Sequence, residues 1–323
     1  MPPAPPPPSD ADALPSAPGR PWARLVAAFT DRRDDDTWAG RLFRWALWLF
    51  VGTMVFSVLG TLLLKLVPAA MGIFGPYYAS LVKAPTWTYM ALLPVLTTLA
   101  YWRTHPKSQL AFFALWGSFV GGVAELVGTT NGIPFGVYSY TDWLGPKLLD
   151  HVPYLIPPSW YAVSLVSHDL ASRLTTRRWE RIGATAIFML LWDVSLDPAM
   201  NDAFPFWNYP GGGFYYGMPA SNWAGWIAVT LVIAWGYEVL GGGLRSTSRH
   251  APLLYALNCL FPVLIALLYG LLLGAVVGVL AMAMPLLAVK SRGGRLGVLL
   301  AGDDVPLATD AASPEAAATE TVR

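Results

Sequence analysis

The chain has 323 residues, of which 55% are hydrophobic and only 13% charged, with a mean hydropathy of +0.47. A water-soluble domain carries about a quarter charged residues, so this composition is that of an integral membrane protein. A net charge of +1 excludes a broad basic surface for nucleic acid, a lone Cys259 excludes internal disulfides, and the four histidines (105, 151, 168 and 250) never stand at metal-ligand spacing.

Residues 1–40 open with a proline-rich run and end near Asp34-Asp35-Asp36. They hold too little apolar material to offset the entropy of ordering, so a disordered tail is expected there. The stretch lacks the basic start and apolar core of a cleaved signal peptide. Apolar runs long enough to cross hydrocarbon, which takes about 20 helical residues, follow near 43–67, 83–102, 109–127, 155–172, 182–197 and 223–241. The block Leu253–Val289 is too long for one span and fits two helices folded back near Gly270–Gly274. The expectation is an all-α polytopic bundle of about eight transmembrane helices, with a catalytic membrane domain over 41–292. A second disordered tail, rich in Ala, Thr and acids, is expected over 293–323.

Charge bias supports an even number of spans. With the N-terminus in the cytoplasm, 18 of the 21 Lys and Arg fall on inside segments, leaving only Lys65, Lys83 and Lys147 outside. Both termini are then cytoplasmic, and the chain is read as a multi-pass protein of the cell membrane. Two outer loops stand apart from ordinary connectors: Gly128–Tyr154 and Asp197–Asn222. Both are long, rich in Gly, Pro and aromatics, and almost free of Lys and Arg. Trp and Tyr collect at membrane interfaces whatever a protein does, but two loops of this length in one compact chain point to binding walls or lids.

Ionisable residues within membrane spans mark function. Glu125 lies near the outer end of the third span, and Asp193 and Asp197 lie on the fifth, which runs in the same direction. Asp193 and Asp197 are four residues apart and share a helix face. Two buried carboxylates near a third resist full ionisation, so one is expected to hold a proton near neutrality, as a general acid must. The alternative for Asp197-Pro198 is a plain helix end. Glu238 and Asp169, towards the cytoplasmic side, are expected to form structural ion pairs with Arg245 and Arg173. Asp142, Asp150 and Asp202 are expected to be solvated loop residues.

Phosphate loops, nucleophile elbows and histidine clusters are missing from the sequence, and Asp193-x-x-x-Asp197 is only half of a prenyltransferase-type acidic pair. An acid–base site with aromatic walls and no obvious cofactor suits protonation of an apolar alkene. The tertiary carbocation so formed can be steadied by aromatic faces, with Trp160, Trp192, Trp207, Tyr209, Tyr215, Tyr216 and Trp223 as candidates. Capture by water, loss of a proton and internal capture correspond to hydratase, isomerase and cyclase, and periodicity leaves all three open.

Four blocks carry a family resemblance: Glu125-Leu-Val-Gly-Thr-Thr-Asn-Gly-Ile-Pro-Phe-Gly-Val-Tyr-Ser-Tyr140, Val152-Pro-Tyr-Leu-Ile-Pro-Pro-Ser-Trp160, Trp192-Asp-Val-Ser-Leu-Asp-Pro198 and Gly213-Phe-Tyr-Tyr-Gly-Met-Pro-Ala-Ser-Asn-Trp-Ala-Gly-Trp226. Over roughly 42–290 the chain resembles the CruF-type carotenoid biosynthesis family. The resemblance implies a carotenoid 1,2-hydratase that adds water across the terminal double bond of an acyclic ψ-end group, as in lycopene or γ-carotene, on the way to xanthophylls. It implies no redox cofactor and no metal. Its implied partners are a carotenoid drawn from the bilayer, water, membrane lipids and a downstream carotenoid desaturase or glycosyltransferase. An archaeal branch of the family acts on bisanhydrobacterioruberin.

Joined to the residues, this gives a mechanism in which Asp193 or Asp197 protonates C2 and Glu125 positions or deprotonates the attacking water. Asn131, Tyr138 and Asn222 assist by hydrogen bonding, and the acid and base labels are exchangeable. The alternatives are a membrane carotenoid cyclase and a non-enzymatic lipid or isoprenoid transporter, whose acids would be coupling sites.

Overall fold

The computed structural model describes residues 36–291 and 305–307. Eight long helices make one all-α bundle: α1 Trp38–Leu66, α2 Tyr78–Tyr101, α3 Lys107–Asn131, α4 Ile156–Ser172, α5 Arg178–Asp197, α6 Ala220–Trp235, α7 Ala251–Leu268 and α8 Leu272–Ser291. A π-helical turn prolongs α5 over Pro198–Ala203, and another prolongs α6 over Gly236–Leu240. The fold-back expected near Gly270–Gly274 is present, turned by Gly270 at φ +75°.

Six of the eight, α1, α3, α5, α6, α7 and α8, are long and apolar enough to cross a membrane. The eight expected spans thus resolve into six such helices plus α2 and α4. The reason for α4 is its position: from Trp160 to Ser172 every side chain is buried. A helix clothed by other helices never meets lipid, so it can carry Ser164, Ser167, His168 and Asp169 where a lipid-facing helix would need Leu or Val.

Close approach of α3 to α4 depends on small residues. Leu110, Phe113, Gly117, Gly121, Glu125 and Gly128 form the buried line of α3, at helical spacing, while Leu115 and Phe119 on its other side are exposed. A Cβ at Gly121 would stand 2.3 Å from Trp160 Cγ, and one at Gly117 would stand 2.9 Å from Tyr161 Cα. Such stripes let membrane helices pack backbone to backbone. Gly121→Val is therefore expected to lower stability by about 1–3 kcal/mol through overpacking, read as a lower midpoint in thermal unfolding of the detergent-solubilised protein. The small residues of α8 act similarly within the chain, setting Gly274 against Pro198 and Gly278 against Val263.

At the end of the bundle opposite the long loops, two buried carboxylates fasten helices together. Asp169 accepts from Arg173 (2.8 Å), Tyr101 (2.9 Å) and the Ser248 N–H (2.6 Å), which is the Arg173 pairing expected. Glu238 pairs with Arg181 at 2.6 Å and with His168 at 3.0 Å rather than with Arg245. The π-helical turn carries Glu238 towards α4 and α5, which supply those partners. Nearby, His105 accepts the Arg245 N–H at 3.1 Å. Burial and the Arg245 and Lys107 charges hold the His105 pKa down at about 4, so it stays a neutral acceptor.

The tails assigned to 1–40 and 293–323 lie largely outside the described residues. α1 already begins at Trp38 within the first, and within the second Val305–Pro306 pairs antiparallel with Ser246–Thr247.

Candidate active site

The two long loops are joined to each other. Ser139–Tyr140 of the first pairs antiparallel with Trp207–Asn208 of the second. Thr141 extends the ribbon, donating its N–H to Phe206 O (3.0 Å) and its hydroxyl to Pro205 O (2.7 Å). Within the first loop, Lys147 donates to Tyr140 O (2.7 Å) and pairs with exposed Asp142 (2.9 Å), whose carboxyl the lysine holds below its usual pKa. Asp150 and Asp202 are exposed, as expected of solvated loop acids.

Beneath this ribbon lies a cavity of about 90 Å³. Its polar lining includes Glu125 from α3, Asp193 and Asp197 from α5, and Asn222 from the first turn of α6. Aromatic rings make much of the remaining wall: Phe135, Trp160, Trp192, Phe206, Trp207 and Trp226. Trp160 stacks on Trp226 with centroids 4.0 Å apart, and Trp192 meets Trp226 edge-on at 5.7 Å.

Glu125 is buried and receives three donors. Tyr138 donates to its Oε2, Tyr140 donates to the same oxygen at 2.8 Å, and Trp160 Nε1 donates to Oε1 at 2.9 Å. Gly128, one turn further along α3, makes room for the loop that brings the tyrosines; a Cβ there would press on Phe135 at 2.8 Å and Tyr138 at 3.0 Å. Burial, reinforced by the Glu125 charge, pushes both phenols well above their ordinary pKa. They remain donors, as a cradle for a carboxylate requires.

Asp193 and Asp197 face the same cavity from consecutive turns of α5, both fully covered. Asp193 accepts from Asn222 Nδ2 at 3.2 Å, and Asn222 in turn accepts from Tyr209 at 3.0 Å. Tyr209 stacks on Tyr138, 5.2 Å between centroids, which links the Asp193 side of the cavity to the Glu125 side. Asp197 Oδ2 and Trp192 Nε1 are buried without a hydrogen-bond partner among the described residues. Unpartnered buried polar atoms cost free energy, so two of them lining one cavity mark where a ligand or water would be held. Among the described residues no group of three or more His, Cys, Asp and Glu side chains has an arrangement that could hold a metal ion.

Of the residues singled out in the sequence, Glu125, Tyr138, Trp160, Trp192, Asp193, Asp197, Trp207, Tyr209 and Asn222 all line this cavity. Four others do not. Asn131 is exposed in the last turn of α3. Tyr215 donates to Val194 O (2.9 Å) on the far side of α5, Tyr216 accepts the Gly274 N–H (2.8 Å), and Trp223 packs edge-on against Phe214. These three aromatics brace the second loop against α5, α6 and α8. Sequence reasoning missed Tyr140, Phe135 and Trp226 as site residues. The first two were within the quoted Glu125–Tyr140 block, and Trp226 lies four residues after Asn222, on the same face of α6.

Comparison with known proteins shows the family of the chain. A family model described as "Carotenoid biosynthesis protein" matches residues 86–285, which leaves α1 outside the matched region, a narrower extent than 42–290. The chain is 30% identical over 217 residues to bisanhydrobacterioruberin hydratase of Haloarcula japonica, covering 63% of this chain and 69% of that protein. No solved structure matches.

Proposed function

The chain belongs to the carotenoid biosynthesis protein family, and we propose that it is a carotenoid 1,2-hydratase of the cell membrane, acting on an acyclic ψ-end group in xanthophyll biosynthesis. One observation carries the reading: an acid pair on α5 faces a carboxylate held by three donors, across a cavity walled with aromatic rings. The hydratase relative supports the reaction class, since it acts by adding or removing water as its name states.

The end group lies in the cavity with its terminal double bond between α5 and Glu125. The Asp193–Asp197 pair, sharing a proton, donates it to C2; the π electrons become the new C2–H bond and leave a tertiary cation at C1. Trp160, Trp192, Trp207 and Trp226 present ring faces that steady the positive charge. A water oxygen bonds to C1, and its proton passes to the Glu125 carboxylate. Transfer of that proton back to the aspartate pair restores the starting state, so hydration consumes one water and no net proton. The cofactor-free sequence requires no electron acceptor.

Tyr140→Phe removes one of the three donors to Glu125 without changing the ring. A hydrogen bond to a charged group is worth about 1.5–3 kcal/mol, so turnover is expected to fall about 10- to 100-fold with the amount of inserted protein unchanged. The reading as a whole is tested by co-expression in a host that accumulates lycopene or γ-carotene. A more polar pigment heavier by one water is expected; an isomer of unchanged mass would instead point to cyclase or isomerase chemistry, and an unaltered pigment pool despite membrane insertion would overturn the enzyme reading for these substrates.

A further inference from the structure

The site cavity is too small for anything beyond an end group, yet the proposed substrate carries a long polyene. A second cavity, of about 410 Å³, adjoins the first. The two share Thr86, Met200, Phe206 and Phe261, which stand at the neck where the cavities meet. Beyond the neck the groove is walled by Phe56, Gly60 and Leu64 of α1, Leu81 and Val82 of α2, and Ile265 of α7. It exists because α1 leans on the bundle only through its first half: its buried residues stop at Met54, and Phe56, Leu59 and Leu63 are exposed. At the loop end of the groove the Lys65 ammonium sits over the Tyr269 ring, 4.2 Å from its centroid. That end is polar, whereas Phe56 and Leu63 on the α1 side of the groove are apolar and exposed, as residues that meet lipid are.

We propose that this groove is the binding site for the polyene arm of the substrate, which enters sideways from the bilayer past α1 and threads its end group through the Thr86–Met200–Phe206–Phe261 neck. The inference rests on the hydratase reading for the identity of the occupant. Its apolar lining and its place beside the carboxylate cavity commit it to a long, extended isoprenoid chain rather than a lipid headgroup or a polar metabolite. An apolar chain moving from lipid into an apolar groove gives up no hydration, so shape rather than the hydrophobic effect decides what fits. The neck then selects a slim acyclic end group, because a ring has to pass between Phe206 and Phe261.

Gly60 gives a clean test. A Cβ there meets nothing within 4 Å, and the same holds for Gly52 two turns earlier on α1, outside the groove. Gly60→Phe should plug the groove without a clash, and Gly52→Phe is the matched control. Both variants and the parent would be expressed in lycopene-accumulating membranes and purified in detergent, measuring retained polyene per protein and water adduct formed. Since even one methylene group changes pocket selectivity about 10- to 200-fold, Gly60→Phe is expected to lose at least about tenfold in both, with Gly52→Phe at parent level. A parent that hydrates while Gly60→Phe matches it would overturn the groove and leave the hydratase reading standing. Equal losses in Gly52→Phe would also overturn it, by assigning the effect to α1 as a whole. Polyene retention sensitive to Gly60→Phe, without any water adduct in the parent, would keep the groove and reject the hydratase.

Discussion

Asp193→Asn is expected to abolish hydration while the protein still folds and inserts. Asn has the shape of Asp, and its carbonyl oxygen can accept the Asn222 amide hydrogen that Asp193 now accepts at 3.2 Å, so packing around α5 is retained. What is lost is the proton shared with Asp197. General acid catalysis contributes about 10²–10⁴-fold, and the one carboxyl left on α5, Asp197, no longer has the neighbour with which it holds the proton. Pigment turnover normalised to inserted protein should fall by at least about 10²-fold on that scale. Turnover within a few-fold of the parent would remove Asp193 from the mechanism.

Glu125→Gln is the second large effect, and it acts differently. Tyr138, Tyr140 and Trp160 all aim hydrogens at this carboxylate. A Gln offers one acceptor oxygen and an NH2 group that itself donates, so at least one donor is left facing another. Leaving a buried donor unsatisfied costs about 1–3 kcal/mol, which should show as a lower unfolding midpoint. Loss of the negative charge removes both the acceptor for the water proton and the counter-charge to the cation, and turnover should fall by about 10²–10⁴-fold. The substrate should still be retained on purification, because the polyene groove does not include Glu125. A variant that loses polyene as well would make Glu125 a structural support of the cavity and not the base.

Much of this site was legible in the sequence because charge is so costly in a membrane span that few positions carry it. Glu125, Asp193 and Asp197 stood out on that ground alone, and helical spacing put the two aspartates on one face. The two loops were visible by length and composition. Which loop residues reach the carboxylates was not visible, because it depends on the pairing of Ser139–Tyr140 with Trp207–Asn208, a long-range contact with no local signature. That pairing brings Tyr140 to Glu125 and turns Trp207 inward, whereas Tyr215, Tyr216 and Trp223, of the same composition, brace helices instead. The status of α4 was hidden for a related reason: hydropathy reports on lipid exposure, and α4 is enclosed by protein. The groove beside α1 was equally silent, since it arises from a helix that parts from its neighbours beyond Met54.

The most direct test of hydration is isotopic. Membranes containing the protein would be supplied with an acyclic carotenoid in oxygen-18-labelled water and, separately, in deuterium oxide, with products analysed by mass spectrometry. The proposed chemistry requires one labelled oxygen in the C1 hydroxyl and one non-exchangeable deuterium at C2, both absent with Asp193→Asn. A hydroxyl group that carries no label from water, or a product with deuterium but no added oxygen, would contradict the hydratase mechanism.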